Sequence, residues 1–447
     1  MRRHRILSIV FAGALCAVPI SGAQAGTIDR AVSTATGKTT ALVHVADGRS
    51  FARGRAAARA AGAKPVGRFA SIRVLAVRGT ASELKRLARR RAVSRVEANE
   101  RLRYFTNTSH LATGGQDVLN GAVTLPGGGI IDGSGVGVAV VDTGIDGTHP
   151  NLAGRMASNV KLVPLLGIPV ALADTDTPSL GGHGTHVAGI AAATGGTYHG
   201  AAPGARLHGV SAGTAISILD AVAGLQWVLD NRNAFASPIK VVNNSWGGSA
   251  GPHDPSDAVS LIVNELTAAG VTVVFAAGND GPDADTTSSE CRNPTPGVIC
   301  VAAYNDQNSG TRSGALADFS SRGAPGSPET YPDISAPGQD ITSTCRITLP
   351  ICLLGEGLIL SPLNTYARLS GTSMAAPHIA GIAAQLLEAD PSLTPAGVED
   401  VLEDTALKLT AGAPYEADPA NPDDTTSSDK GHGLVDVVAA VQAALAP

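Results

Sequence analysis

Three residues, Asp142, His183 and Ser373, are of the types that together turn a hydroxyl group into a nucleophile. A serine hydroxyl attacks a carbonyl poorly at neutral pH, so it needs a base to take its proton. That base in turn needs an acid to orient it. The three residue types therefore predict acyl-transfer chemistry.

Each of these residues lies at the end or the start of a predicted element. Asp142 follows the apolar run 136–141, which is typical of a buried strand. His183 begins a predicted helix over 183–193, and Ser373 begins a long Ala-rich helix over 373–388. Ligand sites in open parallel sheets lie at the carboxyl ends of the strands, so we expect the three side chains to meet there.

Further strands and a helix alternate in the same part of the chain. Strands are predicted at 239–243, 271–276 and 297–303, with a helix at 256–269. Alternating strands and helices predict a parallel sheet with helices on both faces. The fold class is therefore α/β, with three layers and a mostly parallel central sheet.

The first part of the chain has a different texture. Strands are predicted at 39–45, 67–77 and 92–97, the last as an edge strand, and helices at 51–63 and 82–91. This order indicates a small α+β domain in front of the larger one.

The two parts also differ in charge. Residues 26–105 hold 18 Lys and Arg against 5 Asp and Glu, whereas residues 106–447 hold 12 against 33. A basic block beside an acidic one indicates mutual attraction. A nucleic-acid-binding arm is the alternative for the basic block, but the acidic balance of the remainder opposes it, so no nucleic-acid partner is expected.

Three segments resemble motifs of the subtilisin-like serine proteases, the subtilases. They are DTGID from Asp142, HGTHVAG from His183 and GTSMAAPH from Gly371, in the order Asp, His, Ser. The resemblance implies a subtilisin-like fold and a secreted serine endopeptidase. It also implies that Asp142 orients the imidazole, that His183 is the general base and then the acid, and that Ser373 attacks the scissile carbonyl.

Two further segments share this resemblance. The AAGN segment implies that the Asn279 side chain donates to the oxyanion, together with the Ser373 N–H. Ser245, Trp246 and Gly247 match the segment that binds substrate as an added strand. Trp246 replaces a commoner aliphatic residue, and a packing tryptophan at a sheet end is the alternative. A turn-forming role is the alternative for Asn279.

The basic block resembles the subtilase propeptide, which implies an intramolecular chaperone and inhibitor. The expected domains are a signal peptide at 1–25, a propeptide at 26–105 and a catalytic domain at 106–447. Self-cleavage is expected between Arg103 and Ser109, after Tyr104 or Phe105.

The first 25 residues are typical of a secretory signal peptide. Arginines precede the apolar stretch 6–20, and Ala23-Gln24-Ala25 is a small-x-small cleavage site. We expect a secreted, extracellular monomer without a membrane anchor, acting on protein or peptide substrates and inhibited by its own propeptide.

Four cysteines remain after the signal. An even count in an oxidising compartment favours disulfides, with three pairings open. Short loops favour Cys291 with Cys300 and Cys345 with Cys352. Four free cysteines are the alternative.

No cofactor is expected for the chemistry. Asp174 and Asp176 are weak calcium candidates, with a solvated acidic loop as the alternative. The short segment 193–200 does not predict the calcium-binding loop that many subtilases have there. His186 is predicted to be a packing residue, because no third metal ligand accompanies it.

Three alternatives stay open for the activity: a broad endopeptidase, a processing protease of narrow preference, and an inactive scaffold. A preference for basic residues needs acidic pocket residues, which the sequence alone does not locate. The apolar segment 347–360 is predicted either to pack near the site or to be core.

Overall fold

The computed structural model describes residues 26–46, 48–99, 103–104, 112–163, 168–176, 181–195, 198–213, 216–355, 357–360, 365–417 and 424–446. The predicted signal peptide lies outside these residues. Within the described ranges, every helix is too short or too polar to cross a bilayer.

The described strands form one large sheet, one five-stranded sheet and several small ones. In chain order they are β1 Thr27–Ile28, β2 Lys38–Val45, β3 Lys64–Phe69, β4 Val74–Thr80, β5 Val93–Ala98, β6 Arg103–Tyr104, β7 Gly137–Asp142, β8 Met156–Val163, β9 Ile168–Ala171, β10 Arg206–Ser211, β11 Ile239–Asn244, β12 Trp246–Gly247, β13 Thr272–Ala276, β14 Val298–Asn305, β15 Ala315–Leu316, β16 Ile334–Pro337, β17 Ile341–Thr344, β18 Gly357–Leu360, β19 Thr365–Leu369, β20 Glu416–Ala417 and β21 Thr425–Thr426.

The helices lie between these strands. In chain order they are α1 Arg30–Thr34, α2 Phe51–Ala60, α3 Ala81–Ala88, α4 Gly115–Leu119, α5 Pro150–Ala153, α6 His183–Ala192, α7 Ile218–Asn231, α8 Ala258–Ala268, α9 Pro350–Leu354, α10 Thr372–Ala389, α11 Pro395–Asp404 and α12 Val437–Ala444, with 3₁₀ turns at Glu290–Arg292 and Pro328–Thr330.

The large sheet has the order β15-β14-β13-β11-β7-β10-β8-β9, with β16 beside β14. Its strands pair in parallel, except that β9 and β15 are antiparallel. Successive residues of β7 point to opposite faces: Val138 and Val140 pack with α6 and α10, whereas Ala139 and Val141 pack with α7 and α8. Helices therefore cover both faces, which confirms the predicted three-layer α/β fold.

The N-terminal unit is a sheet of order β1-β5-β2-β4-β3 with its own core, which includes Leu84 and Leu87 of α3. Two details of its prediction are wrong. The strand predicted at 67–77 is two antiparallel strands, joined by a turn in which Arg73 takes a left-handed φ of 58°. Strand β5 is not at the edge, because it pairs with β2 on one side and β1 on the other.

Both predicted cysteine pairs are present as disulfides, Cys291–Cys300 and Cys345–Cys352. The first joins a 3₁₀ turn to β14. The second joins Cys345, directly after β17, to Cys352 in α9. Each closes a short loop next to the site described below.

Candidate active site

Asp142 and His183 meet at the carboxyl end of β7, the predicted position. The His183 Nδ1 atom lies 2.8 and 2.9 Å from the two carboxylate oxygens of Asp142, and the Thr143 N–H donates to Oδ1 at 2.7 Å. Both side chains are almost fully buried. Gly184 permits this approach, since a Cβ there would collide with the Gly144 carbonyl.

A second buried carboxylate, Asp176, holds the start of α6. It accepts hydrogen bonds from the Gly182 N–H at 3.0 Å, from the Thr143 hydroxyl at 3.2 Å and from the Thr185 hydroxyl. Burial raises its pKa to about 6, against the opposing effect of these donors. Asp176 therefore ties the segment after Asp142 to the turn that carries His183.

The calcium candidates have other partners. Asp176 makes the bonds just described, and Asp174 pairs with Arg346 at 2.6 Å. In the described ranges, a group of three acidic residues with ligand atoms close together occurs at Asp333, Glu399 and Glu403 instead. Calcium binding at Asp174 and Asp176 stays a prediction.

Residues 349–352 of the apolar segment 347–360 pack beside the site. Helix α9 lies against Gly182, where a Cβ would collide with Ile351 and approach the Cys352 sulfur. Leu349 and Cys352 are buried, while Ile347 and Leu353 are exposed. Helix α9 thus packs against Gly182, the residue directly before α6.

Ser373 lies in the first turn of α10 and is fully buried. Its hydroxyl donates to the Ser245 carbonyl at 3.1 Å, and the Ser245 hydroxyl donates to the Ser373 carbonyl at 2.8 Å. The Asn243 amide donates to the Ser245 hydroxyl at 2.9 Å. The serine is therefore fixed to the end of β11.

Asn279 is oriented by the residue before Ser373. Its side-chain oxygen accepts from the Thr372 N–H at 2.9 Å and from the Thr372 hydroxyl at 3.1 Å. The same hydroxyl accepts from the Gly278 N–H at 3.1 Å. The Asn279 amide is therefore held at Thr372, directly before Ser373, and its N–H donors take no part in these bonds.

The matched family model is that of the subtilase family, and it covers residues 133–434. The chain belongs to the subtilase family. It is 35% identical over 329 residues to serine protease AprX of Bacillus subtilis, which spans 70% of this chain and 69% of that protein. It is 33% identical over 316 residues to subtilisin E of the same species, with 69% and 66% covered.

A solved structure extends the likeness. Fervidolysin from Fervidobacterium pennivorans, a keratinolytic enzyme related to subtilisin, matches with a TM-score of 0.69 and 26% identity. The match covers 91% of this chain and 61% of the fervidolysin chain. The protein is thus a subtilisin-like serine endopeptidase that acts on peptide substrates.

In this subtilase the side chain of Trp246 belongs to the core. It is fully buried, its indole N–H donates to the Val141 carbonyl at 2.8 Å, and it packs edge-on against Phe275. Only its backbone is available at the sheet edge, where Trp246 and Gly247 pair antiparallel with Tyr104 and Arg103. The predicted alternative, a packing tryptophan, describes its side chain.

Three residues that position the site were not singled out in the sequence: Thr143, Thr185 and Thr372. Each is inside one of the three motifs: Thr143 directly follows Asp142, Thr185 is two residues after His183, and Thr372 directly precedes Ser373. Their hydroxyls bond to Asp176, Asp176 and Asn279 respectively. His186 is buried with its Nε2 at 3.0 Å from the Ala367 carbonyl, and burial lowers its pKa to about 3, as expected for a packing histidine.

Proposed function

We propose that this subtilase is a secreted endopeptidase made as a self-processing zymogen, in which Ser373 forms an acyl-enzyme. The observation that carries the proposal is the antiparallel pairing of Arg103 and Tyr104 with Gly247 and Trp246. A segment of the chain's own prosegment therefore occupies the edge at which the family resemblance implies substrate binding.

The proposed catalytic steps combine the contacts at the site with the roles that the family resemblance implies. His183 takes the proton of the Ser373 hydroxyl as the oxygen attacks the scissile carbonyl, and then gives that proton to the leaving amine. Asp142 holds the imidazole by Nδ1 and stabilises its positive charge. The Asn279 amide and the Ser373 N–H at the start of α10 donate to the oxyanion. Water then repeats the sequence on the acyl-enzyme.

The register of the paired strands supports one cleavage position. Tyr104 is opposite Trp246, and an antiparallel strand continued in the same register would bring its next residue opposite Ser245. The Ser245 carbonyl accepts the Ser373 hydroxyl. We therefore propose cleavage after Phe105, a residue outside the described ranges.

The prosegment also packs on α7 and α8. Apolar residues of its sheet join the core on that face: Leu42, Phe69, Ile72, Val74 and Ala76. This apolar contact supports a prosegment that stays bound after cleavage, as an inhibitor must.

Polar contacts flank that apolar patch. The Glu97 carboxylate accepts the Ala258 N–H at the start of α8 at 2.9 Å, and the Asn99 side chain accepts the Leu219 N–H at 2.7 Å. Arg95 pairs with Asp254. These hydrogen bonds fix the orientation of the prosegment on α7 and α8, which the apolar contact alone does not. The Arg95–Asp254 pair joins the basic part of the chain to the acidic part.

The test compares the wild-type precursor with Ser373→Ala, purified from the same host, by intact mass and N-terminal sequencing. Wild type should begin at Thr106, whereas the variant should keep residues 26–105. Mixing the variant with a trace of processed wild type separates cleavage in cis from cleavage in trans. Identical processing of both precursors would refute self-cleavage.

Secretion has its own test. Expression of the full chain should deliver the protein to the culture medium, with its N-terminus after Ala25 in the Ser373→Ala precursor. Replacing Ala23 and Ala25 by Asp should retain the protein in the cells. Equal amounts in the medium for both forms would contradict the signal peptide.

A further inference from the structure

The segment 286–292 closes one side of the substrate edge. The Gly248 N–H, directly after β12, donates to the Glu290 carboxylate at 2.9 Å. The Ser288 N–H donates at 3.1 Å to the carbonyl of Ala277, two residues before Asn279. The Cys291–Cys300 disulfide anchors the segment to β14. Glu290 is therefore fixed next to both the substrate strand and the oxyanion segment.

These contacts locate the side chain of the substrate residue before the scissile bond. Its backbone lies opposite Ser245, and its carbonyl must reach both Ser373 and the Asn279 amide. Its side chain then enters the space between the strand 245–248 and the segment 277–279. The Glu290 carboxylate lies beside that space, because it binds Gly248 on one side and its segment bonds to Ala277 on the other.

The Glu290 carboxylate is held without a cation. The side chain is half-buried, and no Lys, Arg or His of the described residues pairs with it. Burial raises its pKa. A Cβ on Gly248 would lie 3.3 Å from Oε1, so the glycine leaves room for the carboxylate at the pocket end. A charge in this position is stabilised by a cationic partner that arrives from the open side.

We propose that Glu290 selects substrates with Lys or Arg before the scissile bond. The ammonium or guanidinium group pairs with the carboxylate oxygen left after the Gly248 N–H is bound. The proposal rests on the proposed substrate strand and on Ser373 as the nucleophile. It gives the narrow-preference alternative the acidic pocket residue that the sequence did not locate.

Self-cleavage after the apolar Phe105 is compatible with this preference. The prosegment is tethered and packed on α7 and α8, so its effective concentration at the site is high. An intramolecular cut does not depend on the pairing with Glu290. Substrates that arrive from solution do, because they have no second attachment.

A structural role for Glu290 is the alternative, since its carboxylate binds the Gly248 N–H. Glu290→Gln separates the two roles, because the amide oxygen still accepts that N–H while the charge is lost. Asp283→Asn is the matched control: Asp283 is an exposed carboxylate of the same connection.

The experiment measures kcat/KM for peptides Ala-Ala-Pro-Xaa-p-nitroanilide with Lys, Met or Glu as Xaa. Lys and Met have similar length and differ in charge. We expect the Lys/Met ratio to fall about 10- to 100-fold in Glu290→Gln. The Met peptide should change less than about threefold, the Glu peptide should improve, and Asp283→Asn should keep the wild-type ratio.

Two outcomes would overturn the proposal: an unchanged Lys/Met ratio in Glu290→Gln, or the same fall of the ratio in Asp283→Asn. Intact mass first shows that each variant has lost its prosegment, so that the ratio is measured on matured enzyme only. If Ser373 is not the nucleophile, the binding affinities for the peptides Ala-Ala-Pro-Lys and Ala-Ala-Pro-Met replace kcat/KM in the comparison. For that measurement the prosegment is removed by an added protease, which cuts at a recognition site inserted after Phe105.

Discussion

The two halves of the catalytic site are built from different chemical groups. On one side, the start of α6 with His183 is held by two buried carboxylates, Asp142 and Asp176. On the other side, the start of α10 with Ser373 is held by neutral groups only, namely the amide of Asn279 and the hydroxyls of Thr372 and Ser245.

The difference follows from the charge that each half must stabilise. In the proposed mechanism a positive imidazolium forms on the His183 side, so fixed negative charge lowers its energy. In the same proposed mechanism a negative oxyanion forms on the Ser373 side, where a carboxylate would repel it and neutral donors stabilise it. The first half should therefore respond to charge removal and to acid, and the second to the loss of individual hydrogen bonds.

Removing charge next to His183 should have the largest effect. Asp142→Asn keeps the shape but loses the charge and disturbs the tautomer that Nδ1 requires, so kcat should fall about 10⁴-fold. Peptide hydrolysis by material whose prosegment was removed with an added protease measures this. Asp174→Asn is the control, since Asp174 pairs with Arg346 at the rim. A fall of less than tenfold in Asp142→Asn would contradict the assigned role.

Removing the neutral donor should cost less. Asn279→Ala should lower kcat about 100- to 1000-fold, because the amide acts on the oxyanion and not on the bound substrate. KM should stay within about threefold of the wild-type value. A change confined to KM would instead indicate that Asn279 contacts the ground-state peptide.

Asp176 should make the stability of the His183 side depend on pH. Its pKa is about 6 in the fold and 3.8 in the reference state. The folded carboxyl therefore binds its proton more tightly, and the free energy of unfolding should decrease as pH rises from about 4 to about 6.

Asp176→Asn removes this dependence, which amounts to at most about 3 kcal/mol. Melting temperatures from pH 4 to pH 7 in the Ser373→Ala background test it without autolysis, with Asp174→Asn as the matched control. The prediction is wrong if the melting temperature changes with pH in the same way in Asp176→Asn and in its parent.

The smallest effect is expected for one hydroxyl on the neutral side. Thr372→Val removes one of two hydrogen bonds to the Asn279 oxygen and the acceptor for the Gly278 N–H. We expect about a tenfold loss in kcat, and Thr372→Ser should restore it. A loss in Thr372→Ser together with full activity in Thr372→Val would mean that the methyl group, and not the hydroxyl, matters.

Apolar runs and motifs in the sequence predict the three layers of the fold and the strands and helices that begin or end at a motif. Strand β7 and helices α6 and α10 have apolar runs or motifs, and their bounds differ from the predicted ones by one residue. Strand β10 sits beside β7, but its sequence RLHGVS has no apolar run. His208 is buried there because Ser158 binds it at 2.9 Å and Phe235 packs on its ring, and no neighbour in sequence reveals this.

The sequence does not predict roles that depend on contacts between residues far apart in the chain. The sequence predicts Asp176 only as a calcium candidate, because its bonds to Thr143 and Thr185 appear only in the folded chain. Glu290 gave no local signal at all, since its partner Gly248 is 42 residues away. The hairpin at Arg73 was missed because a left-handed arginine has no signature in the pattern.

The buried Trp246 gives this enzyme an optical property. The chain has two tryptophans in the core that the prosegment helps to cover, namely Trp227 on α7, which is 9% exposed, and the fully buried Trp246. Departure of the prosegment should redden the emission of Trp227, while the Trp246 side chain, hydrogen-bonded to the Val141 carbonyl, keeps its blue emission. The intrinsic fluorescence of the chain should therefore follow the release of the prosegment over time. In Trp227→Phe, the remaining emission of Trp246 should report whether the site is intact.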